Sequence, residues 1–366
     1  MTVPPPPRTP PPWHRRDRWI EWRNARLADP AFQRWAGHFP LTRPVARRRA
    51  ARLFDVVAGF VYSQVAAAVV ETRLLPFLRV RSRTVAEVAV HTGLPPDGAE
   101  RLLKAAAALR LAERVGDRFA LGTDGAALLG NPGVAEMIAH HHFLYADLAD
   151  PVALLRARGG SLADYWSYAD AAPDRVAAYS ALMAASQPGI AAAVLDAYPV
   201  ARHRRLLDVG GGQGVFAAAA LDRAPGLVAT VFDLPAVVAR VTDRRITGVG
   251  GSFVVDPLPG GADLIALVRV LHDHDDAVVA ALLAKVHAAL PPGGTLLVAE
   301  PMAETRGGEA VGDAYFGLYL RAMGSGQPRS RARLSTLLIE AGLTRVREHP
   351  TVIPALVRVL SAIKGG

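Results

Sequence analysis

The run Leu206-Leu-Asp-Val-Gly-Gly-Gly-Gln-Gly214 limits the fold more than any other part of this 366-residue chain. An apolar strand runs into an acidic residue and then into a loop with glycines at 210, 212 and 214. Glycine has no Cβ, so such a loop can turn sharply and let a ligand approach its backbone. A second apolar run, Val231-Phe-Asp-Leu-Pro235, ends in Asp233, 25 residues after Asp208. Two strand ends side by side, one glycine-rich and one acidic, make a nucleoside site in which Asp233 accepts from ribose hydroxyls. The alternative is a strand-turn-helix whose glycines serve packing alone.

The same loop bears on the ligand. A dinucleotide fingerprint beginning at Gly210 needs a small residue at 215, where Val215 stands. A pyrophosphate gains from helix N-terminal N–H groups and nothing from a carboxylate such as Asp208. A cation does gain from one. S-adenosyl-L-methionine carries a sulfonium and an ammonium and no phosphate, and it is the expected cofactor.

Length suggests two or three domains, and 51% hydrophobic with 20% charged residues suits a globular protein. The absence of cysteine excludes disulfides, thiolate zinc sites and cysteine nucleophiles. No signal-peptide pattern is visible, and the apolar stretch Val56–Val70 is too short for a membrane span. Residues 1–52 hold twelve arginines against Asp17, Glu21 and Asp29, a net +9 that equals the charge of the whole chain. Trp13, Trp19, Trp22 and Trp35 lie in the same segment. Arginine interleaved with tryptophan suits peripheral contact with an anionic membrane. A packed arm with a solvated basic face and a nucleic-acid contact are the alternatives.

Residues 1–35 therefore read as a basic arm, 36–198 as a helical domain and 199–366 as a ligand-binding domain. Ala51–Phe77 reads as a long apolar helix, and Thr84 with Glu87 as a capping box. A second helix, Asp97–Leu111, precedes a hairpin around Gly116-Asp117. Helix, helix, hairpin over about 82–123 is the winged-helix pattern. The alanine-rich second helix, with only Arg101, Lys104 and Arg110, suits burial better than DNA. His140, His141 and His142 cannot share one helical face, which argues against a joint metal site. From Arg204 strands (205–209, 228–232, 263–270, 295–300 and around 344–359) alternate with helices, as in an α/β doubly wound Rossmann-like domain.

The strand Ala262–Val270 leads to His272, and the strand Gly294–Ala299 ends in Glu300. Both fall on the carboxyl-end rim. A histidine oriented by a carboxylate can act as a general base, the alternative being a helix-capping histidine. His272-x-His274-x-Asp276 echoes a two-zinc motif, but Ala277 replaces the histidine that motif needs, so no metal is expected.

These residues carry a resemblance. Leu206–Gly214, Asp233-Leu-Pro, Gly250-Gly-Ser-Phe253, Arg269-Val-Leu-His-Asp273, Pro291-Pro-Gly-Gly294, Glu300 and Ala341-Gly-Leu343 resemble the small-molecule O-methyltransferases of the caffeate and acetylserotonin type. The resemblance implies a helical dimerisation domain with a winged-helix core, hence a homodimer. It implies His272 as base, and together with the loop it gives a cofactor set of Asp208, Gly210, Gly212, Gly214, Asp233, Leu234, Gly251, Ser252, Phe253 and Arg269. Ser252 stands where aspartate is frequent. A second glutamate expected before the last helix is absent, Arg329-Ser330-Arg331 standing there, so Glu300 is expected to be the only carboxylate flanking His272.

Asp29–Gln33, Phe39–Arg49, Leu53–Gln64 and Pro350–Arg358 further resemble the carotenoid 1-hydroxyl O-methyltransferases of purple photosynthetic bacteria. This implies methyl transfer to the tertiary hydroxyl of an acyclic carotenoid, a lipophilic small molecule. Met183, Tyr319 and Met323 are candidate lining residues. The expected location is cytoplasmic, peripheral on the inner (photosynthetic) membrane. Methylation of a phenolic or polyketide hydroxyl, and a ligand-sensing winged-helix regulator, are the other readings.

Overall fold

The computed structural model describes residues 13–166 and 186–365. Two compact units, Met1–Ala66 and Ala67–Gly366, divide the chain.

The first unit is helical. Its helices are Trp13–Ala28, Pro30–His38 and most of Arg43–Glu71. Asp29 caps the second helix, its Oδ1 accepting from Ala31 N at 2.8 Å, and Pro30 takes the first position, where its missing N–H is harmless. Phe32, Trp35 and Phe39 form a row of rings 5.6 and 5.2 Å apart. The third helix starts before the expected Ala51 and ends at Glu71, because Arg73 adopts a left-handed conformation (φ 53°). A separate helix, Leu74–Val80, follows. Arg43–Glu71 outruns the Val56–Val70 stretch and is long and apolar enough to cross a membrane by length and composition; 6% of that apolar window is buried.

In the second unit, helices Val85–Thr92 and Pro96–Ala108 lead to an antiparallel pair, β1 (Ala112–Val115) and β2 (Arg118–Leu121). Thr84 and Glu87 form the reciprocal capping box. Arg118 of β2 also bonds Glu87, at 2.9 Å, which ties the hairpin to the capped helix. Further on, Leu144, Leu154 and Leu162 pack against Phe316, Tyr319, Leu320 and Met323.

A seven-stranded sheet follows: β3 (Arg205–Val209), β4 (Val228–Asp233), β5 (Ile246–Gly250), β6 (Leu264–Val268), β7 (Thr295–Glu300), β8 (Leu343–His349) and β9 (Arg358–Lys364). The spatial order is β5-β4-β3-β6-β7-β9-β8, parallel except that β9 runs antiparallel to β7 and β8. The order reverses between β3 and β6, the switch point at which such sheets bind ligands. Every residue of β6 and β7 is buried, as expected of central strands covered on both faces. Leu206 and Leu207 enter different cores, because successive side chains point to opposite faces. Two expectations needed correction. Ile246–Gly250 is a strand, and the run near 344–359 is two strands. β5 escaped notice because an edge strand with two glycines has little apolar pattern to read.

Candidate active site

The expected site residues that the structure describes, apart from Tyr319 and Met323, lie at or just beyond the carboxyl ends of β3, β4, β5, β6 and β7. Asp208 in β3 is fully buried, and among the described residues neither of its carboxylate oxygens has a hydrogen-bond partner. Burial, and then the charge of Asp233, pushes its pKa up to about 8. The loop lies close above it: a Cβ on Gly211 would stand 2.5 Å from Asp208 Oδ2. Gly210, Gly212 and Gly214 have φ of 68°, 59° and 82°, a region that glycine adopts without strain. Asp233, last in β4, accepts from Gly212 N at 2.8 Å and from Leu234 N at 2.7 Å. It thereby fixes the loop while keeping acceptor capacity, since a carboxylate offers about four lone-pair sites.

The wall beyond β5 is equally constrained. Gly251 N donates to Asp233 O at 2.9 Å, and a Cβ on Gly251 would stand 2.6 Å from the Phe232 ring. Ser252 N donates to Asp256 Oδ2 at 2.8 Å. Lys285 Nζ, from helix Asp276–Ala289, donates to the carbonyls of Phe253, Val254 and Asp256, each at 2.8 Å. The sequence did not point to Lys285; its one distinguishing mark is that the chain has only three lysines. Arg269 holds a left-handed backbone (φ 58°), donates its N–H to Ala299 O at 2.8 Å and reaches Ser186 Oγ at 3.0 Å. A bulky residue in that region is strained and persists where its surroundings hold it.

His272 lies on a short 3₁₀ turn, Leu271–Asp273, four residues past the end of β6. It is buried, and its Nδ1 lies 2.5 Å from Glu300 Oε2. Glu300 Oε1 accepts from Val270 N at 3.0 Å and Leu271 N at 2.7 Å, so one carboxylate holds both the ring and the turn that carries it. The expectation of a single flanking carboxylate is overturned. Asp273 Oδ1 lies 3.1 Å from His272 Nε2, a reach that the tight turn gives to an adjacent residue. Burial by itself would lower the His272 pKa. The charges of Asp273 and Glu300 outweigh it, and the net shift is upward.

Arg329 occupies the stretch from which the second glutamate is missing. It is buried and donates to Leu271 O and His274 O, each at 2.7 Å, and to Asp276 Oδ1 at 2.8 Å. Gln327 N donates to His272 O at 3.0 Å, and Ser325 Oγ to Asp273 O at 2.8 Å. The turn that carries His272 is thus held by its carbonyls. Of the candidate lining residues, Tyr319 and Met323 are buried in the helix Phe316–Met323, and Met183 lies outside the described residues. The Phe316 ring stands edge-on to His272 with centroids 5.9 Å apart.

Residues 145–344 match the O-methyltransferase domain family. The chain is 43% identical to demethylspheroidene O-methyltransferase of Rhodobacter capsulatus, over 89% of this chain and 85% of that protein. It is 42% identical to the enzyme of the same name from Cereibacter sphaeroides, over 91% and 92%. The chain belongs to the O-methyltransferase family. Its fold matches that of human N-acetylserotonin methyltransferase in complex with S-adenosylmethionine: TM-score 0.75, 27% identity, 87% of this chain and 98% of that one.

The cofactor of this methyltransferase is S-adenosylmethionine, and the β3–β4 rim suits it on its own terms. A fully buried carboxyl without a partner is costly unless a ligand supplies one, and a cationic ligand matches Asp208. A Cβ at 210 would stand 2.8 Å from Val270 Cγ2 and one at 211 2.5 Å from Asp208 Oδ2, so the loop can present only backbone at these positions.

Proposed function

We propose that this chain methylates the tertiary hydroxyl of an acyclic carotenoid, with S-adenosylhomocysteine as second product. The observation that carries this reading is the 42–43% identity, over about nine-tenths of the chain, to two demethylspheroidene O-methyltransferases. The test is incubation with labelled S-adenosylmethionine and either hydroxylated acyclic carotenoids or phenols. Label is expected in the carotenoid; label confined to the phenols would refute the assignment.

When bound, S-adenosylmethionine supplies an electrophilic methyl on its sulfonium. Asp208 would hold its positive charge, Asp233 its ribose hydroxyls, and the Ser252–Phe253 wall its adenine side. The chain then has to align the acceptor oxygen with that methyl and remove one proton. A tertiary alcohol is too weak an acid to ionise beforehand, so His272 Nε2 takes the proton as the new bond forms. Glu300, on Nδ1, stabilises the imidazolium that results. Asp273 has to give up its contact with Nε2 when the acceptor arrives.

The first unit supports a reading for location: a cytoplasmic enzyme in peripheral contact with the inner membrane. Trp19, Trp22, Leu53, Phe54 and Phe60 are all more than half exposed, and the arginines lie among them. Indole and guanidinium suit the headgroup level of an anionic bilayer. Pelleting with anionic vesicles, lost on deletion of residues 1–35, is the expected result. We also read the Val85–Leu121 elements as a winged helix within a dimerisation domain; a monomer in sedimentation would contradict the dimer.

A further inference from the structure

The run His140-His141-His142 has no part in the chemistry above, and the structure divides it. All three lie on the helix Pro132–Asp147. His142 is exposed and bonds the Ala139 carbonyl at 2.9 Å. His141 Nε2 meets the Tyr315 hydroxyl at 2.8 Å, 174 residues away in sequence. His140 Nε2 lies 3.3 Å from the hydroxyl of Tyr319, one turn beyond Tyr315. Two histidine–tyrosine pairs therefore stand in line, and Tyr319 already belonged to the expected acceptor wall.

Tyr315 ends the π-helical turn Ala310–Tyr315, a rare geometry found mostly at functional sites. Its ring stacks on Tyr319 (5.7 Å between centroids) and meets Phe316 edge-on (5.1 Å). Phe316 in turn meets His272. This places the phenol in the aromatic layer next to the base. Burial lowers the His141 pKa and raises that of Tyr315, so both rings are neutral at pH 7. Both residues are half-buried against an apolar cluster, where a polar group is retained at a cost if packing is its only role.

We propose that Tyr315, held by His141, is a binding residue for the hydroxyl that is methylated. The proposal rests on hydroxyl methylation as the reaction. The bond count of the acceptor oxygen supports it. That oxygen gives its proton to His272, directs one lone pair at the methyl, and has one lone pair left for a donor. With the proton of His141 on Nε2, that N–H donates to Tyr315 and the phenol hydrogen is available to the acceptor. An apolar polyene offers no other polar handle, so this one bond would set the rotation of its hydroxyl.

The experiment compares Tyr315→Phe, His141→Gln and the double variant Tyr315→Phe/His141→Phe with the unmodified enzyme. Each is assayed on whichever acceptor, carotenoid or phenol, the unmodified enzyme methylates. A wrong carotenoid assignment thus shows in the unmodified enzyme, and Tyr315 is still tested. Tyr315→Phe is expected to raise the acceptor KM about five- to tenfold, the worth of one net hydrogen bond. Calorimetry should find S-adenosylmethionine bound as before. His141→Gln keeps an N–H donor and should raise the acceptor KM less than Tyr315→Phe does. The double variant should lose no more than Tyr315→Phe, since both changes break one unit. An unchanged acceptor KM in Tyr315→Phe would overturn the proposal, as would an equal loss of cofactor affinity, which marks a merely structural role.

Discussion

Gly326 tests whether the position of His272 depends on the segment behind it. Its φ is 80°, and an added Cβ would overlap the His272 carbonyl oxygen and stand 2.6 Å from Asp273 C and 2.9 Å from Asp273 Cα. Carbon atoms in good contact are about 3.5 Å apart, so Gly326→Ala has to move the turn or its own loop segment by about 1 Å. The turn cannot yield elsewhere without breaking the Arg329 and Gln327 bonds to its carbonyls. A misplacement of about 1 Å at a reacting group costs on the order of a hundredfold in rate, or about 2.7 kcal/mol of barrier. The left-handed backbone adds about 1–2 kcal/mol of lost stability for a residue with a side chain. Steady-state kinetics should therefore show kcat down about a hundredfold, while calorimetry shows the affinity for S-adenosylmethionine within about twofold. Gly226→Ala, where a Cβ meets nothing within 4 Å and φ is not left-handed, is the control and should change neither quantity. Native kcat in Gly326→Ala would refute the argument that these carbonyl contacts position the base.

Four further outcomes follow from the site. With His272 as the proposed base, His272→Ala should lower kcat by about 10²–10⁴, and kcat should fall with acid in the unmodified enzyme, because a base works in its neutral form and the pKa of His272 is raised. Asp273→Asn removes the largest raising charge, so the acid limb of the pH–rate profile should move to lower pH; movement to higher pH would contradict the assignment. Lys285→Met should raise the KM for S-adenosylmethionine about tenfold with kcat nearly unchanged, since it loosens three loop carbonyls and touches nothing at the base. Asp208→Asn should weaken cofactor binding in calorimetry yet stabilise the free protein near pH 8. With a folded-state pKa of about 8 against an unfolded value near 3.8, Asp208 binds more protons when folded. Stability should therefore decline from about pH 4 to pH 8 in the unmodified chain, and less steeply in the variant.

The cofactor half of the site was legible because backbone requirements leave a direct mark on sequence. Positive φ at Gly210, Gly212 and Gly214, and the close approach of Gly211 to Asp208, strongly favour glycine, and an acidic residue at the end of an apolar run stands out. His272 and Glu300 were legible for the same reason, as polar residues following runs that are otherwise apolar. Lys285, Arg329 and Tyr315 were not. Each acts through a contact with a residue more than 30 positions away, and nothing within a local window separates them from surface lysines, surface arginines or core tyrosines. Asp273 lay in plain view beside His272 and was missed because neighbours on a strand point to opposite faces. The chain leaves β6 at Val268 and coils into a 3₁₀ turn, which lets two successive residues meet.

The missing second glutamate has a physical consequence that the local geometry makes specific. A carboxylate in the 329–331 stretch could act on the imidazole as a charge, whereas Arg329 acts on the backbone: its guanidinium binds the carbonyls of Leu271 and His274, on either side of His272. The polarising charge then comes from Glu300, which two backbone N–H groups hold in place, and from Asp273, which has a side-chain exposure of 22% and can swing away. One carboxylate is fixed on Nδ1 and sets the tautomer. The other guards Nε2 and is displaceable. For an acceptor that cannot ionise before attack, this division suits the task, because Nε2 has to be free when the hydroxyl arrives and basic when its proton leaves. With a second carboxylate fixed on Nε2, the imidazole would rest protonated on both nitrogens and have no lone pair for the hydroxyl proton.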